Sequence, residues 1–246
     1  MTLDGGTRDG LVTAGPLRLH VREHGDPAAP AAILLHGIGG DHTTWDRVAE
    51  HLADRFRVIA VDQRGHGASD RADTYSFRLL AEDVWHLADA LGLDRVTLIG
   101  HSMGGLAALV AAQLRPDRID ALVVEEAPPP VPLDRPPLEQ PAEPTPYDFA
   151  VINQIRAELR QPDPANWARL GDLTAPVLIM AGGPASALPQ QGQADVAARI
   201  PDGRFVTIPA GHGIHRDGFA DFCRAVDEFL AVPARSRATV HGPTDS

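Results

Sequence analysis

The pentapeptide Gly100–Gly104 (GHSMG) restricts the fold of this chain most, because it stands between an apolar run and a helical run of small residues. The apolar run, Val96 to Ile99, predicts a strand, so the pentapeptide predicts a sharp turn from strand to helix. Its glycines relieve crowding where the strand and the helix come close. Ser102 would then lie above the edge of a sheet, beside free N–H groups of the helix. This position suits a nucleophile; a chance match in a glycine-rich chain is the alternative.

Short runs of aliphatic and β-branched residues alternate with segments of helical periodicity. This alternation is typical of a mostly parallel sheet with helices on both faces. Apolar spacing predicts one crossover helix over Phe77 to Leu91 and another around Leu106 to Leu114, while Leu17 to Glu23 alternates and predicts an antiparallel hairpin with the residues before it. The other predicted strands are Ala32–Leu35, Arg57–Val61, Val96–Ile99, Ala121–Val124, Val177–Met180 and Phe205–Ile208.

The chain, 246 residues long and 43% hydrophobic, can bury one substantial core. Prolines between Pro128 and Pro146 are too dense for a helix interior or a central strand, so the chain must leave the sheet there. We expect a core domain at 1–126 and 174–232, a lid insertion at 127–173 and a flexible C-terminal tail at 233–246. A plain surface linker is the alternative to the lid.

The second part of this insertion has the pattern of a helix, from Tyr147 to Arg160. Thr145 would be its N-cap, Pro146 its first helical residue, and Asp148 would occupy the capping-box position.

The composition excludes several kinds of partner. A formal net charge of −11 repels nucleic acids and anionic membrane surfaces. Cys223 is the only cysteine, so an internal disulfide or a cysteine-based metal site cannot form. Ligand spacing typical of a metal site is lacking, and we expect neither metal nor cofactor. Without a pattern of a secretory signal or a bilayer-spanning run, we expect a cytoplasmic monomer or homodimer that acts on a small-molecule substrate.

A serine hydroxyl needs a base, and histidine has a suitable pKa. His212 follows the last predicted strand across a short loop, at the sheet edge where Ser102 is expected. We therefore predict that His212 is the base. His215, three residues later, is an alternative, and so is a purely structural role for both histidines.

Four motifs in this order resemble those of the α/β-hydrolase superfamily: His36–Gly40 (HGIGG), Asp62–Ser69 (DQRGHGAS), Gly100–Gly104 and Gly211-His212. The resemblance covers about 17–230. It implies a doubly wound, mostly parallel eight-stranded sheet with a lid after the sixth strand, and a nucleophile, an acid and a histidine in that order.

The resemblance also implies an oxyanion hole. The residue after the nucleophile, Met103, would supply one backbone N–H, and Ile38 the other, although an ordinary glycine turn is the alternative at Ile38. Asp62, Arg64 and His66 would brace the loops around the site.

The acid departs from the commonest pattern of this superfamily. Most relatives carry an aspartate beyond the seventh strand, but Ala181 to Leu188 contains no carboxylate. The sixth strand ends in Glu125 and Glu126, where certain dehalogenases and lipases carry their acid. Successive strand residues face opposite sides, so only one of the two can face His212. We favour Glu126; the alternatives are Glu125 and a dyad without an acid.

Together these residues predict a serine hydrolase that cleaves a carboxylic ester, lactone or thioester through an acyl-enzyme on Ser102. Trp45, Tyr147 and Phe149 are candidate substrate-binding residues, although large apolar residues more often simply pack. A lyase or cyclase that uses His212 as base is an alternative function, and a non-catalytic binding protein is another.

Overall fold

The structure, a computed structural model, describes residues 2–4 and 7–231 of the chain. The tail predicted at 233–246 lies outside the described residues. Within them one sheet forms, with the strands β1 Thr2–Asp4, β2 Thr7–Ala14, β3 Leu17–His24, β4 Ala31–Leu35, β5 Arg57–Val61, β6 Val96–His101, β7 Ile119–Glu125, β8 Val177–Ala181 and β9 Gly203–Thr207.

The strand order is β1-β2-β3-β5-β4-β6-β7-β8-β9. The six strands from β5 to β9 in this order run parallel, whereas β1, β2 and β3 are joined by antiparallel pairing and β3 is antiparallel to β5. The predicted doubly wound, mostly parallel eight-stranded sheet is confirmed. The short β1 extends it by one strand at the edge.

Helices cover both faces of the sheet because the central strands are apolar on both sides. In β4, Ile33 and Leu35 belong to one core cluster, while Ala32 and Leu34 belong to the other. None of the helices in the described residues has the length and apolar character to cross a bilayer. They are α1 Asp46–Leu52, α2 Phe77–Ala90, α3 Met103–Leu114, α4 Phe149–Arg160, α5 Pro164–Ala168, α6 Gln190–Arg199, α7 Ile214–Asp217 and α8 Phe219–Leu230.

The helix α4 begins two residues later than its sequence pattern predicts. Asp148 has an extended backbone and is the N-cap, since its side chain accepts a hydrogen bond from Ala150 N at 3.0 Å. Thr145 instead donates its hydroxyl to the carbonyl of Tyr147. The predicted start at Tyr147 with Thr145 as cap is therefore wrong, because a contact with Gly65 fixes this stretch: Asp148 N donates to Gly65 O at 2.7 Å.

Candidate active site

Ser102 lies at the turn between β6 and α3, with φ 53° and ψ −114°. This turn brings the strand and the helix so close that only glycine fits two residues before and two residues after the serine. A Cβ atom on Gly100 would lie 2.4 Å from the carbonyl oxygen of Gly104. One on Gly104 would lie 2.3 Å from the carbonyl oxygen of Leu35. The sequence GHSMG therefore has the sharp strand-to-helix geometry that its glycines predict.

The structure brings Ser102, His212 and Glu126 together in a row. His212 Nε2 is 3.0 Å from Ser102 Oγ, and His212 Nδ1 is 3.1 Å from Glu126 Oε2. A carboxylate at Nδ1 favours the tautomer with its proton there, which leaves Nε2 free to accept the serine proton. The side chain of His212 is 43% exposed and so accessible to a ligand, whereas that of Glu126 is fully buried.

Hydrogen-bond donors surround the carboxylate of Glu126. It accepts from Gly182 N, from the Ser186 hydroxyl and, at 3.0 Å, from Gln193 Nε2. Burial is the largest influence and raises the pKa of Glu126, but the bonds from His212, Ser186 and the amides outweigh it and hold the pKa at about 2. The carboxylate-free segment after β8 thus supplies donors to an acid on the neighbouring strand, a role that no sequence pattern revealed.

Glu125, the alternative acid, points to the opposite side of β7. Its carboxylate accepts from the backbone N–H of His215 at 2.8 Å and from His215 Nδ1 at 2.7 Å. Both side chains are buried. The two alternatives, Glu125 and His215, therefore pair with each other and form no hydrogen bond with the Ser102 hydroxyl or the His212 ring.

His101 connects this buried pair to the loop of His212. Its ring lies between those of His212 and His215, at centroid distances of 4.7 and 5.0 Å. Burial lowers the pKa of His101 to about 4, so the ring is neutral at neutral pH. Its Nε2 is 2.7 Å from the carbonyl oxygen of His212, to which it donates. This bond fixes the backbone of His212.

Ile38 and Met103, the predicted oxyanion-hole residues, both line the cavity that contains Ser102. Within the described residues, neither backbone N–H has a hydrogen-bond acceptor. His66 shapes the glycine loop, which is the segment His36–Gly40: its Nε2 accepts a hydrogen bond from Gly39 N at 3.1 Å. Burial lowers the pKa of His66, which keeps the ring neutral and able to accept. Two free donors thus remain beside the serine.

The Asp62–Ser69 segment supports the surrounding loops. The Asp62 carboxylate accepts from His42 N at 2.7 Å and from Ala68 N at 2.9 Å. Arg64 forms a buried two-pronged ion pair with Asp83. These contacts have the bracing geometry that the resemblance implies for this segment.

Two groups of mostly buried side chains have their potential ligand atoms within 4.8 Å of one another, close enough for a metal ion. They are His101, Glu125 and His215 in one group, and His20, His42 and Asp62 in the other. In each group the carboxylate already accepts hydrogen bonds from a histidine Nδ1 and from a backbone N–H. The carboxylates are therefore engaged within the protein, whereas three ring nitrogens of these groups, His20 Nδ1, His42 Nε2 and His215 Nε2, have no hydrogen-bond partner in the described residues.

Two cavities meet at Ser102. The first has a volume of about 310 Å³ and a mostly apolar lining that includes Phe77, Ile155 and Leu188. The second, about 500 Å³, is lined by the glycine loop, Thr44 and Arg216. The residues common to both linings are Ile38, Ser102 and His212. Ser102 and His212 thus stand between an apolar cavity and a more polar one.

The structure does not bring the three predicted substrate-binding side chains to either cavity. Trp45 is fully buried in a core cluster, with its ring 4.4 Å from that of His215. Tyr147 packs against Gly39 and the ring of His66, and it lines neither cavity. Phe149 is the first residue of α4 and lines no cavity. Three apolar residues of α4 do line the first cavity: Ile152, Ile155 and Leu159.

Comparisons with known proteins agree with this fold. The model of the α/β-hydrolase fold family matches residues 30–150. The esterase YbfF of Escherichia coli (strain K12) is 27% identical over 241 residues, which cover 80% of this chain and 92% of that protein. A crystal structure of a hydrolase from Pseudomonas aeruginosa PA01 has a TM-score of 0.79 at 27% identity, over 93% of this chain and 99% of that one.

Other curated relatives match only in part. The 2-(acetamidomethylene)succinate hydrolase of Mesorhizobium japonicum is 37% identical over 113 residues, 46% of this chain and 40% of that protein. Like this match, those to the first curated relatives span less than half of their length.

Proposed function

We propose that this chain, which belongs to the α/β-hydrolase superfamily, is a serine hydrolase that cleaves a carboxylic ester, lactone or thioester. The hydroxyl of Ser102 attacks the carbonyl carbon while His212 Nε2 takes its proton. The backbone N–H groups of Ile38 and Met103 bind the oxygen that becomes negative. His212 then gives the proton to the leaving alcohol or thiol, and the acyl group stays on Ser102.

The second half of the reaction uses the same groups. Water gives a proton to His212 Nε2 as its oxygen attacks the acyl carbon, and the oxyanion again accepts from the two backbone N–H groups. When the carbon–oxygen bond to Ser102 breaks, the serine oxygen recovers the proton from His212. Glu126 stays ionised throughout and stabilises the imidazolium. The proposed reaction steps need no cofactor.

The observation that carries this proposal is the row of contacts from Ser102 Oγ through the His212 ring to Glu126, at 3.0 and 3.1 Å. A serine without a base within reach would be a poor nucleophile. An esterase among the relatives, YbfF, supports ester chemistry. The apolar cavity suits the acyl part of the substrate, and the polar cavity suits the leaving group and the incoming water.

A fluorophosphonate probe tests the proposal directly, because it phosphonylates an activated serine. We expect labelling at Ser102, located by mass spectrometry, together with hydrolysis of p-nitrophenyl esters. Ser102→Ala should lose both. Ser76→Ala is the control, since it removes a serine that lines neither cavity and should keep the label on Ser102. Labelling at a different residue, or none, would contradict the proposal.

The same experiment separates hydrolysis from a lyase or cyclase reaction. If Ser102→Ala keeps activity towards the natural substrate and no acyl-enzyme forms, His212 acts as a base without a covalent step. A protein with an intact site that neither labels nor turns over any ester would instead be a binding protein.

A further inference from the structure

Two arginine side chains line the apolar cavity beside Ser102. Arg135 belongs to the proline-rich segment, residues 128–146, and Arg156 belongs to α4. Both side chains are partly buried. Among the described residues, no aspartate or glutamate lines this cavity, although the whole chain has a net charge of −11. The cavity therefore combines an apolar wall with a local excess of positive charge in an acidic protein.

Hydrogen bonds to α4 hold the proline-rich segment and so determine where Arg135 lies. The side-chain amide of Asn153 bonds both the N–H and the carbonyl of Leu138, at 2.8 and 2.9 Å. The guanidinium of Arg160 donates to the carbonyl of Arg135 at 2.6 Å. The backbone that carries Arg135 is thus fixed against the helix that carries Arg156.

The two guanidinium groups have unused donors. Arg156 donates its Nε to the carbonyl of Pro136 at 2.6 Å, which leaves both terminal nitrogens available. In the part of the chain that the structure describes, no carboxylate lies within 4.0 Å of either guanidinium, and the Arg135 side chain donates no hydrogen bond. Partial burial of cations without an anion costs free energy, and an anionic ligand recovers it.

We propose that the cavity selects substrates whose acyl group is an apolar chain with an anionic end, a carboxylate or a phosphate, bound by Arg135 and Arg156 together. This inference rests on the proposed hydrolysis at Ser102. Guanidinium groups bind either anion through paired, charge-assisted hydrogen bonds. The acyl chain of the substrate packs against Ile152 and Ile155 between Ser102 and the arginines. The leaving group occupies the second, more polar cavity.

The preference has a clear sign. An apolar chamber without the arginines would exclude an anion, because the charge loses its hydration there, and would favour a neutral chain of the same length. A preference for the anionic ester would therefore arise from the arginines and not from the apolar wall.

Matched p-nitrophenyl esters measure this preference. A length series of straight-chain dicarboxylic monoesters is compared with the corresponding methyl-capped neutral esters, and an ω-phosphonate of the best length distinguishes the two anions. At the best length, wild-type kcat/KM should be about tenfold or more higher for the anionic ester, as expected of hydrogen bonds to a charged group. The preference should decrease with added salt.

Two variants test the arginines. Arg135→Gln and Arg156→Gln should each lower kcat/KM for the anionic ester by about tenfold or more, yet keep that for the neutral ester within about twofold. Retained turnover of the neutral ester also reports a folded, active enzyme. Arg169→Gln is the matched control: it removes the same charge from an exposed position in the same insertion and should keep the preference.

The outcomes separate this inference from the proposed function. A wild-type enzyme that hydrolyses neutral esters equally well or better at every length would overturn the selectivity and leave the hydrolase proposal standing. A preference that survives both arginine variants, or that appears only for esters with an anionic alcohol part, would overturn the assignment of this cavity. Absence of fluorophosphonate labelling at Ser102 and of any ester turnover would overturn the proposed function itself.

Discussion

Ser102 and Glu126 leave the sheet side by side, each with a positive φ angle. Their φ angles are 53° and 46°, and no other non-glycine residue in the described part of the chain has a positive φ. The residues before them, His101 and Glu125, are register partners in β6 and β7. Ser102 N also donates to the carbonyl of Glu125 at 2.9 Å. Such conformations cost about 1 kcal/mol or more and persist only where the surroundings enforce them.

Glu126→Gln should lower kcat by about 10³- to 10⁴-fold, because a neutral amide cannot stabilise the His212 imidazolium and can favour the wrong tautomer. Steady-state kinetics and circular dichroism together check this expectation. Glu125→Gln is the matched control: it should reduce thermal stability through the buried pair with His215 and affect kcat far less. A larger loss of kcat in Glu125→Gln would assign the acid to Glu125.

Stability should fall in acid partly because of Glu126. Its pKa is about 2 in the folded protein against the ordinary 4.5, so the ionised form stabilises the fold above pH 4.5 and this contribution is lost as pH falls towards 2. The shift corresponds to about 3 kcal/mol. Urea unfolding at a series of pH values should therefore show a shallower acid-side decline for Glu126→Gln. Parallel pH profiles for the two proteins would contradict this.

Gly104→Ala should destabilise the protein by several kcal/mol and displace Ser102, because its Cβ would lie 2.3 Å from the carbonyl oxygen of Leu35. The free energy of unfolding and fluorophosphonate labelling both measure the effect. Gly171→Ala is the control, since its nearest contact would be 4.0 Å away. Wild-type labelling kinetics in Gly104→Ala would show that the turn tolerates a side chain.

The buried Arg64–Asp83 pair should be far more sensitive to substitution than an exposed pair. Both side chains are only 6% exposed, so Asp83→Asn should cost about 3–5 kcal/mol by leaving a buried cation unpaired. Asp89 pairs with Arg118 but is 61% exposed. Asp89→Asn should therefore lower the free energy of unfolding by less than about 1 kcal/mol. Urea denaturation distinguishes them; equal losses would mean that burial does not set the cost.

The strands and the turn at Ser102 were predictable because their causes are local. Arg57–Val61 is found with the predicted bounds, and the strands at Ala31–Leu35 and Val177–Ala181 are each one residue longer than predicted. Each is an apolar run that ends at residues unsuited to a buried strand. The glycines at positions 100 and 104 indicate directly that the turn has no room for a side chain there.

The residues that line the two cavities were not predictable because their environment depends on distant parts of the chain. The composition of the loop gives no sign that Trp45 is buried against His215. The donors around Glu126 come from a loop and a helix more than fifty residues later. Likewise, nothing in the sequence distinguishes Arg135 and Arg156 from the other arginines until the proline-rich segment lies on α4.

The two cavities beside Ser102 have only three lining residues in common. Residues of α4 and the proline-rich segment border one of them, and residues of the glycine loop border the other. A substitution in either wall therefore alters the fit of one half of a bound molecule and spares the other half. In the proposed hydrolase, acyl preference and leaving-group preference can thus be redesigned, or can diverge in evolution, as independent properties of one site.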